Sequence, residues 1–186
     1  MGRIMEFELE KLVVGIMYVN HELYVQALSA LSDVFGKIDN EMDEYSFSGY
    51  STFYDREMGG HVLKRFVSFE RLVNPSALSR IKYWTNEVES HLSNGSSRHV
   101  NVDPCILGHG RFVMATTKGA SFRVPLQNGI FADISLIYSR NEWHHFFWTY
   151  RDVKSDLFKA FLTRVRTLYM WQRTHATSGG VRWHAD

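Results

Sequence analysis

The run KLVVGIMYV at residues 11–19 constrains the fold more than any other stretch of the chain. After Lys11 it is a compact apolar run rich in Val and Ile, which is typical of a strand buried on both faces. Asn20 then predicts the start of a helix that ends at Phe35, because apolar residues recur at helical spacing and Gly36 follows. The run therefore predicts a fully buried strand followed by a helix.

The first half continues as a series of predicted strands and helices. Residues 42–48 and 62–69 have the pattern of strands, and residues 49–60 between them are bounded by glycines and predict a loop. The Asn-Pro pair at 74–75 supplies an N-cap and a first helical residue for a helix that runs to about Leu92. The order strand–helix–strand–strand–helix–strand is typical of a ferredoxin-like split β-α-β unit.

After the second helix the apolar pattern changes to a period of two residues, which indicates strands. Asn128 and Gly129 are a strong hairpin signal, because this pair adopts the positive φ angles of a tight turn. A last helix is predicted over 153–170, and the aperiodic residues 174–186 predict a loosely ordered tail. We therefore expect one α+β domain over residues 1–173, in which antiparallel β-hairpins and a C-terminal helix extend the first-half unit. The predicted strands of this half are 99–103, 110–117, 121–126, 130–139 and 142–148.

Composition limits the classes of function. The 186 residues are 45% hydrophobic and 15% aromatic, which is enough for a sizeable core, and the net charge is +1. A near-neutral chain does not fit the broad basic face of a DNA-binding protein, so we expect no DNA partner. Cys105 is the single cysteine, which fits a reducing cytoplasm. No apolar run approaches the roughly 20 residues that span a bilayer, and the acidic first residues do not fit a signal peptide, so we expect a cytoplasmic location without a membrane.

The segment ATTKGASFRVPL carries polar residues where a plain strand would keep apolar ones. Thr116, Thr117 and Lys118 come at the C-terminal end of a predicted strand, directly before a glycine. Hydroxyl groups, backbone N–H groups near a glycine and a lysine are together what a phosphate or carboxylate needs. Arg123 is expected to return across the hairpin to the same place. These four residues form the predicted anion site, and the alternative is an ordinary solvent-exposed hairpin.

Two acidic residues are the candidates for acid–base chemistry. Asp103 precedes Pro104 at the predicted end of a strand, a common place for a general base or a metal ligand, although an Asx turn explains the same pattern. Glu57 lies with Tyr54 in the predicted loop, which would close over a ligand. The alternative is that the loop aromatics fold back onto the core. Cys105 is a weak candidate nucleophile, because the sequence supplies no base partner for it.

The second predicted helix carries a polar stripe beside Trp84. Lys82 and Asn86 are four residues apart, as are Thr85 and Glu89, so each pair is adjacent on the helix surface. The stripe either looks into a pocket, with Asn86 as a ligand contact, or is a solvated face.

Motifs for metals and for nucleotide phosphates are missing. The nine histidines form no HExxH motif, no CxxC pair exists, and we expect no metal site. There is no GxxxxGK[ST] loop and no GxGxxG after the first predicted strand. The sequence identifies no cofactor.

Seven segments carry a family resemblance: KLVVGIMY (11–18), EMGGHVLKRFVSFERLVNP (57–75), IKYWTNEVE (81–89), VNVDPCIL (100–107), ATTKGASFRVPL (115–126), NGIFADISLIY (128–138) and WTYRD (148–152). In this order they resemble an uncharacterised prokaryotic family, catalogued as domain of unknown function 4416, over residues 10–170. The resemblance implies no established activity. Some members carry the label "GTP-binding protein", which the missing phosphate loop does not support here.

Together these features predict a small cytoplasmic protein that binds an anionic or nucleotide-like metabolite, either as an enzyme or as a binder alone. Trp84, Tyr54 or Trp148 would stack on a ring of the ligand. The alternative is a non-catalytic interaction or assembly module, in which the aromatic residues within 143–148 bind a partner or a second copy in a homodimer. RNA binding by an aromatic sheet face is a third possibility, which the neutral charge disfavours.

Overall fold

The computed structural model describes residues 2–93 and 98–175. It contains nine strands and four helices. A short 3-10 turn at Pro75–Ala77 precedes the third helix. In chain order the elements are β1 (Glu10–Tyr18), α1 (His21–Phe35), β2 (Ile38–Glu41), β3 (Tyr45–Ser46), α2 (Phe53–Met58), β4 (Leu63–Val73), α3 (Leu78–His91), β5 (Val100–Leu107), β6 (Arg111–Thr116), β7 (Val124–Pro125), β8 (Phe131–Ser139), β9 (Glu142–His145) and α4 (Asp156–His175).

The nine described strands form one antiparallel sheet. Its order is β2-β4-β1-β5-β6-β8-β7, with β3 paired to β4 and β9 paired to β8. Strand β1 lies between β4 and β5, and all nine of its residues are buried. The apolar sequence predicts this for residues 12–18, whereas Glu10 and Lys11 are buried charged residues. The α+β class with antiparallel strands and a C-terminal helix is confirmed. The narrower ferredoxin-like description stays a prediction.

Helices cover both faces of the sheet. Successive residues of each strand point to opposite sides, so the buried apolar strands present an apolar surface on both faces. On one face Leu12, Val14 and Ile16 of β1 belong to a core with α1 and α3. On the other face Phe158 and its neighbours on α4 pack against Phe66 and the apolar residues of β5, β6 and β8. Segment 42–58 covers the remaining end of this second face through a smaller cluster.

Local signals set the ends of the first helices. The Asn20 side chain accepts a hydrogen bond from the Leu23 N–H at 3.0 Å, and Gly36 ends α1 with φ +85°. The Asn74 side chain accepts from the Ser76 N–H at 2.9 Å, so the predicted helix starts as a 3-10 turn that leads into α3. The hairpin turn at residues 128–129 has positive φ angles at both positions, as predicted.

Five predictions need correction. The predicted strand at 42–48 is formed only at Tyr45–Ser46. The predicted loop at 49–60 contains α2, and the predicted strand at 121–126 pairs only at its residues 124–125. The predicted strand at 142–148 ends at residue 145, because the Thr149 hydroxyl closes a turn by accepting from the Phe146 N–H at 2.9 Å. The last helix continues to residue 175, so the first two residues of the predicted tail are helical. Residues 176–186 of that tail lie outside the described residues. None of the described helices is long and apolar enough to cross a bilayer.

Candidate functional site

The sheet is open between β5 and β6 at one end. Residues 100–104 of β5 pair with β1, but the ladder to β6 begins only at Cys105. The Val102 N–H donates instead to Glu89 Oε1 at 2.8 Å, and Val102 O accepts from Lys82 Nζ at 2.8 Å. The backbone hydrogen-bonding positions of Pro104 and Val102 face the same side of the strand, and Pro104 has no N–H to donate there. Pro104 thus ends strand pairing on one side, whereas the sequence predicts an end to the whole strand.

The polar face of α3 fills this opening. Lys82, Thr85 and Glu89 are all buried. Lys82 Nζ lies 3.0 Å from Asp103 Oδ1 and 3.3 Å from Glu89 Oε1. The solvated-face interpretation of this stripe is therefore wrong, because its charged side chains replace the missing strand as hydrogen-bond partners of β5.

A second buried ion pair lies beside the first. Lys64 Nζ on β4 is 2.7 Å from Asp152 Oδ2, and the Tyr45 hydroxyl donates to the same oxygen at 2.9 Å. Burial lowers the pKa of Lys64, but the charges of Asp152 and Asp103 outweigh this effect and the pKa is raised. Lys64 therefore stays protonated although only 3% of its surface is exposed.

Asp103 receives hydrogen bonds from two sides. Asn101 Nδ2 donates to its Oδ2 at 2.6 Å, and Lys82 donates to its Oδ1. Burial raises the pKa of this carboxyl, but the charges of Lys82 and Lys64 and these hydrogen bonds outweigh burial, so its pKa is lowered. Asp103 is consequently an ionised hydrogen-bond acceptor.

These groups line a pocket, which we call the inner pocket. It has a cavity volume of about 70 Å³, which is room for a few water molecules. Residues from seven parts of the chain surround it: Met17, Phe47, Tyr54, Lys64, Lys82, Asn86, Arg98, Asn101, Asp103, Met114, Thr116, Thr117, Lys118, Tyr150 and Asp152.

Six of the nine predicted site residues line the inner pocket. Thr116 ends β6, and its Oγ1 accepts from the Lys118 N–H at 3.2 Å. Lys118 Nζ donates to the Tyr54 hydroxyl at 3.0 Å, and Tyr54 is supplied by α2. The other three members are Asp103, Thr117 and Asn86. The structure therefore brings together side chains from four separate segments, while their roles stay predictions.

Arg123, Trp84 and Glu57 lie outside this lining. The Arg123 guanidinium donates to Asp133 Oδ2 at 2.9 Å, to the Tyr150 hydroxyl at 3.1 Å and to the Lys118 carbonyl at 2.6 Å. It supports two residues of the pocket wall and is not turned to the cavity, because the predicted strand that would carry it back is not formed at residue 123.

Trp84 packs edge-on against Phe35 at 5.4 Å between ring centroids, within the core under α1 and α3, so it offers no ring to a ligand. Glu57 pairs with Arg98 at 2.5 Å, and Arg98 in turn lines the pocket. Glu57 is therefore connected to the pocket lining by its ion pair with Arg98.

The sequence interpretation missed several lining residues. Lys64 and Asp152 are the main examples, together with Arg98, Asn101 and Tyr150. One signal for Lys64 exists, because a lysine inside a strongly apolar strand such as VLKRFVSF is rarely buried without a partner. Nothing local identifies Asp152 as that partner.

The thiol and the acidic groups narrow the chemistry. Cys105 is fully buried, and burial raises the pKa of its thiol well above the ordinary value, so it is not an activated nucleophile. Within residues 2–93 and 98–175, no three histidine, cysteine, aspartate or glutamate side chains are grouped as a metal ion would need. The arrangement supplies fixed hydrogen-bond donors and acceptors.

A wider groove continues outward from Tyr54 and Lys118, which line both spaces; we call it the outer groove. It runs between segments 47–54 and 147–154. Phe53 and Phe147 are exposed at 66% and 83% of their surface.

The predicted aromatic surface at 143–148 is mostly packed on itself. Phe122 and Phe146 stack on Trp148 at 4.8 and 4.5 Å between centroids, and Trp143 is buried. Among the four aromatic residues of that segment, Phe147 alone is strongly exposed.

Comparison with known proteins gives one match. The family model described as "Domain of unknown function (DUF4416)" matches residues 8–169, which is most of the chain. The search of curated proteins gives no match, and the search of solved structures gives none either. The chain therefore belongs to the family defined by the domain of unknown function DUF4416.

Proposed function

We propose that the protein binds a small anionic or nucleotide-like metabolite at the inner pocket, with Lys118, which lines both the inner pocket and the outer groove, as the main anion contact. One observation carries this proposal. Thr116, Thr117 and Lys118 meet Tyr54, Asn86 and Asp103 around one cavity, and Lys118 has no carboxylate partner within the described part of the chain.

The charge of Lys118 supports an electrostatic role. Partial burial lowers its pKa, but the hydrogen bond to Tyr54 and nearby charges outweigh burial, so the pKa is raised. Lys118 is protonated at neutral pH and is held in place by the Tyr54 hydroxyl at 3.0 Å. A fixed cation next to two threonine hydroxyls is suited to a carboxylate or phosphate.

Binding is better supported than acid–base catalysis. The lowered pKa of Asp103 makes this carboxylate a weak base near neutral pH, whereas a general base works best with a pKa close to the working pH. Asp103 is suited to orient a ligand by accepting its hydrogen bonds.

The proposal is tested by thermal-shift screening followed by calorimetry. The panel contains phosphate, pyrophosphate, sugar phosphates, nucleotides and dicarboxylates. A hydrogen bond to a charged group contributes about 1.5–3 kcal/mol, so Lys118→Ala should raise the Kd of a bound anion about 10- to 150-fold. Lys159→Ala, a change on α4 away from both spaces, is the matched control and should leave the Kd unchanged.

Failure of every anion to stabilise the wild type would contradict the proposal, as would equal binding by the Lys118→Ala variant. Either result would favour the alternative function, a non-catalytic interaction or assembly module. Light scattering addresses it directly, because an assembly module gives a stable dimer or complex. That alternative is supported by the exposed Phe147 but weakened by the stacking of its aromatic neighbours.

A further inference from the structure

Charge is distributed unequally between the inner pocket and the outer groove. We infer that the ligand lies with its anionic group in the outer groove and with an uncharged, hydroxyl-bearing group in the inner pocket, which makes it a phosphorylated or carboxylated polyol of the sugar-phosphate class. This inference rests on the proposed function and adds an orientation and a chemical class to it.

Three of the four cations that line the inner pocket, Lys64, Lys82 and Arg98, are paired with carboxylates, and the fourth, Lys118, also lines the outer groove. Lys64 pairs with Asp152 at 2.7 Å, and Lys82 pairs with Asp103 at 3.0 Å and with Glu89 at 3.3 Å. An anion that entered would approach Asp103 and Asp152 without gaining a free cation from these two lysines. Burying a charge without a partner is costly, so an anionic group is disfavoured in the part of the pocket that these two lysines line.

The same pocket is well suited to hydroxyl groups. Each oxygen of Asp103 accepts one hydrogen bond from the protein, which leaves about two of its four acceptor positions for a ligand. The side-chain amide of Asn86 makes no hydrogen bond to the described residues and lines the cavity. A hydroxyl donates to the first group and accepts from the second. The cavity of about 70 Å³ limits this part of the ligand to a few heavy atoms.

The outer groove has cations without carboxylate partners. Lys118 and Arg151 make no ion pair with the described residues, and Lys154 donates only to the Phe147 carbonyl at 3.3 Å. Among the described residues that line the groove, Asp152 is the one acidic side chain, and it is buried and already paired with Lys64. Three cations without a carboxylate partner among the described residues therefore line this groove, where an anion keeps part of its hydration.

The test uses three probes and NMR spectroscopy of the full ¹⁵N-labelled chain. The probes are inorganic phosphate, glycerol, and glycerol 3-phosphate, which joins the two. The side-chain amide signals of Asn86 and Asn101 report on the inner pocket, and the backbone amides of Arg151 and Lys154, which line only the groove, report on the outer groove. We expect phosphate to move only the groove signals, glycerol to move only the pocket signals, and glycerol 3-phosphate to move both.

Two variants separate the halves of the site. Arg151→Gln should raise the Kd of phosphate and glycerol 3-phosphate by up to about fivefold and leave glycerol unaffected. Asn86→Ala should weaken glycerol and glycerol 3-phosphate but not phosphate.

The possible failures are distinguishable. Phosphate that shifts the pocket amides would overturn the inferred orientation while the proposed function stands. Glycerol and glycerol 3-phosphate that leave those amides unmoved would overturn the hydroxyl-bearing class. Phosphate that moves neither set, with no other anion bound in the screen, would remove both the inference and the proposed function.

Discussion

Replacing Lys82 by methionine tests the buried network directly. Lys82 Nζ is the donor to Val102 O, Asp103 Oδ1 and Glu89 Oε1, and its side chain is 4% exposed. Methionine has a similar length and no charge, so the change removes the cation with little loss of packing volume. It leaves Glu89, which is 6% exposed, facing Asp103 without the charge between them.

The expected cost follows from this burial. Removing one partner of a buried ion pair costs about 3–5 kcal/mol, and here Asp103 and Glu89 lose the cation that they share, although Glu89 keeps its pair with Arg98 at 3.0 Å. For a chain of 186 residues, about 2–4 °C of melting temperature is lost per kcal/mol, so Tm should fall by about 6–20 °C.

The assay is urea unfolding together with thermal melting of wild type, Lys82→Met and the control Lys159→Met. The control should stay within about 0.5 kcal/mol of wild type, since it alters a half-buried helix position without a buried ion pair. Adding Glu89→Gln to Lys82→Met should cost less than the sum of the two single changes, because the two residues interact. A loss below about 1 kcal/mol for Lys82→Met, with an unchanged urea m-value, would refute the claim that this lysine holds the opening between β5 and β6.

Three further predictions concern stability and reactivity. Gly15→Ala places a Cβ 2.7 Å from Cε1 of the buried Phe66 and should destabilise the fold by about 1–3 kcal/mol in melting experiments; unchanged stability would contradict this packing. The pKa of Asp103 is lowered in the fold, so its stabilising effect is present above the unfolded pKa of about 3.9 and is lost as pH falls through the folded value. Asp103→Asn should therefore flatten the loss of stability below about pH 4, and an acid unfolding curve with the same slope as wild type would contradict it. Cys105 should resist a thiol reagent in the native state and react on unfolding, whereas rapid native labelling would show that the site is open.

The sequence determines those parts of the protein that depend on neighbouring residues. The bounds of α1 follow from Asn20 and Gly36, and the tight turn follows from the Asn-Gly pair at 128–129, because caps and turns act within a few residues. The burial of β1 follows from an apolar run that satisfies both faces of a sheet. The sequence also predicts the polar end of β6, since hydroxyl and basic side chains interrupt the apolar pattern of the strand at that point.

Tertiary structure alone decides which charges meet. Lys64 and Asp152 are 88 positions apart, and their pairing depends on the register of β4 and on the turn that follows β9. The sequence shows Lys82 on a polar helix stripe, but its burial depends on β5 and β6 separating before Cys105. The sequence predicts Arg123 in the anion site, but its guanidinium binds Asp133 and Tyr150 instead. Long-range strand pairing and packing fix the positions of these partners. Electrostatic energies fall off with distance in space, so they follow the folded arrangement and not the order of residues along the chain.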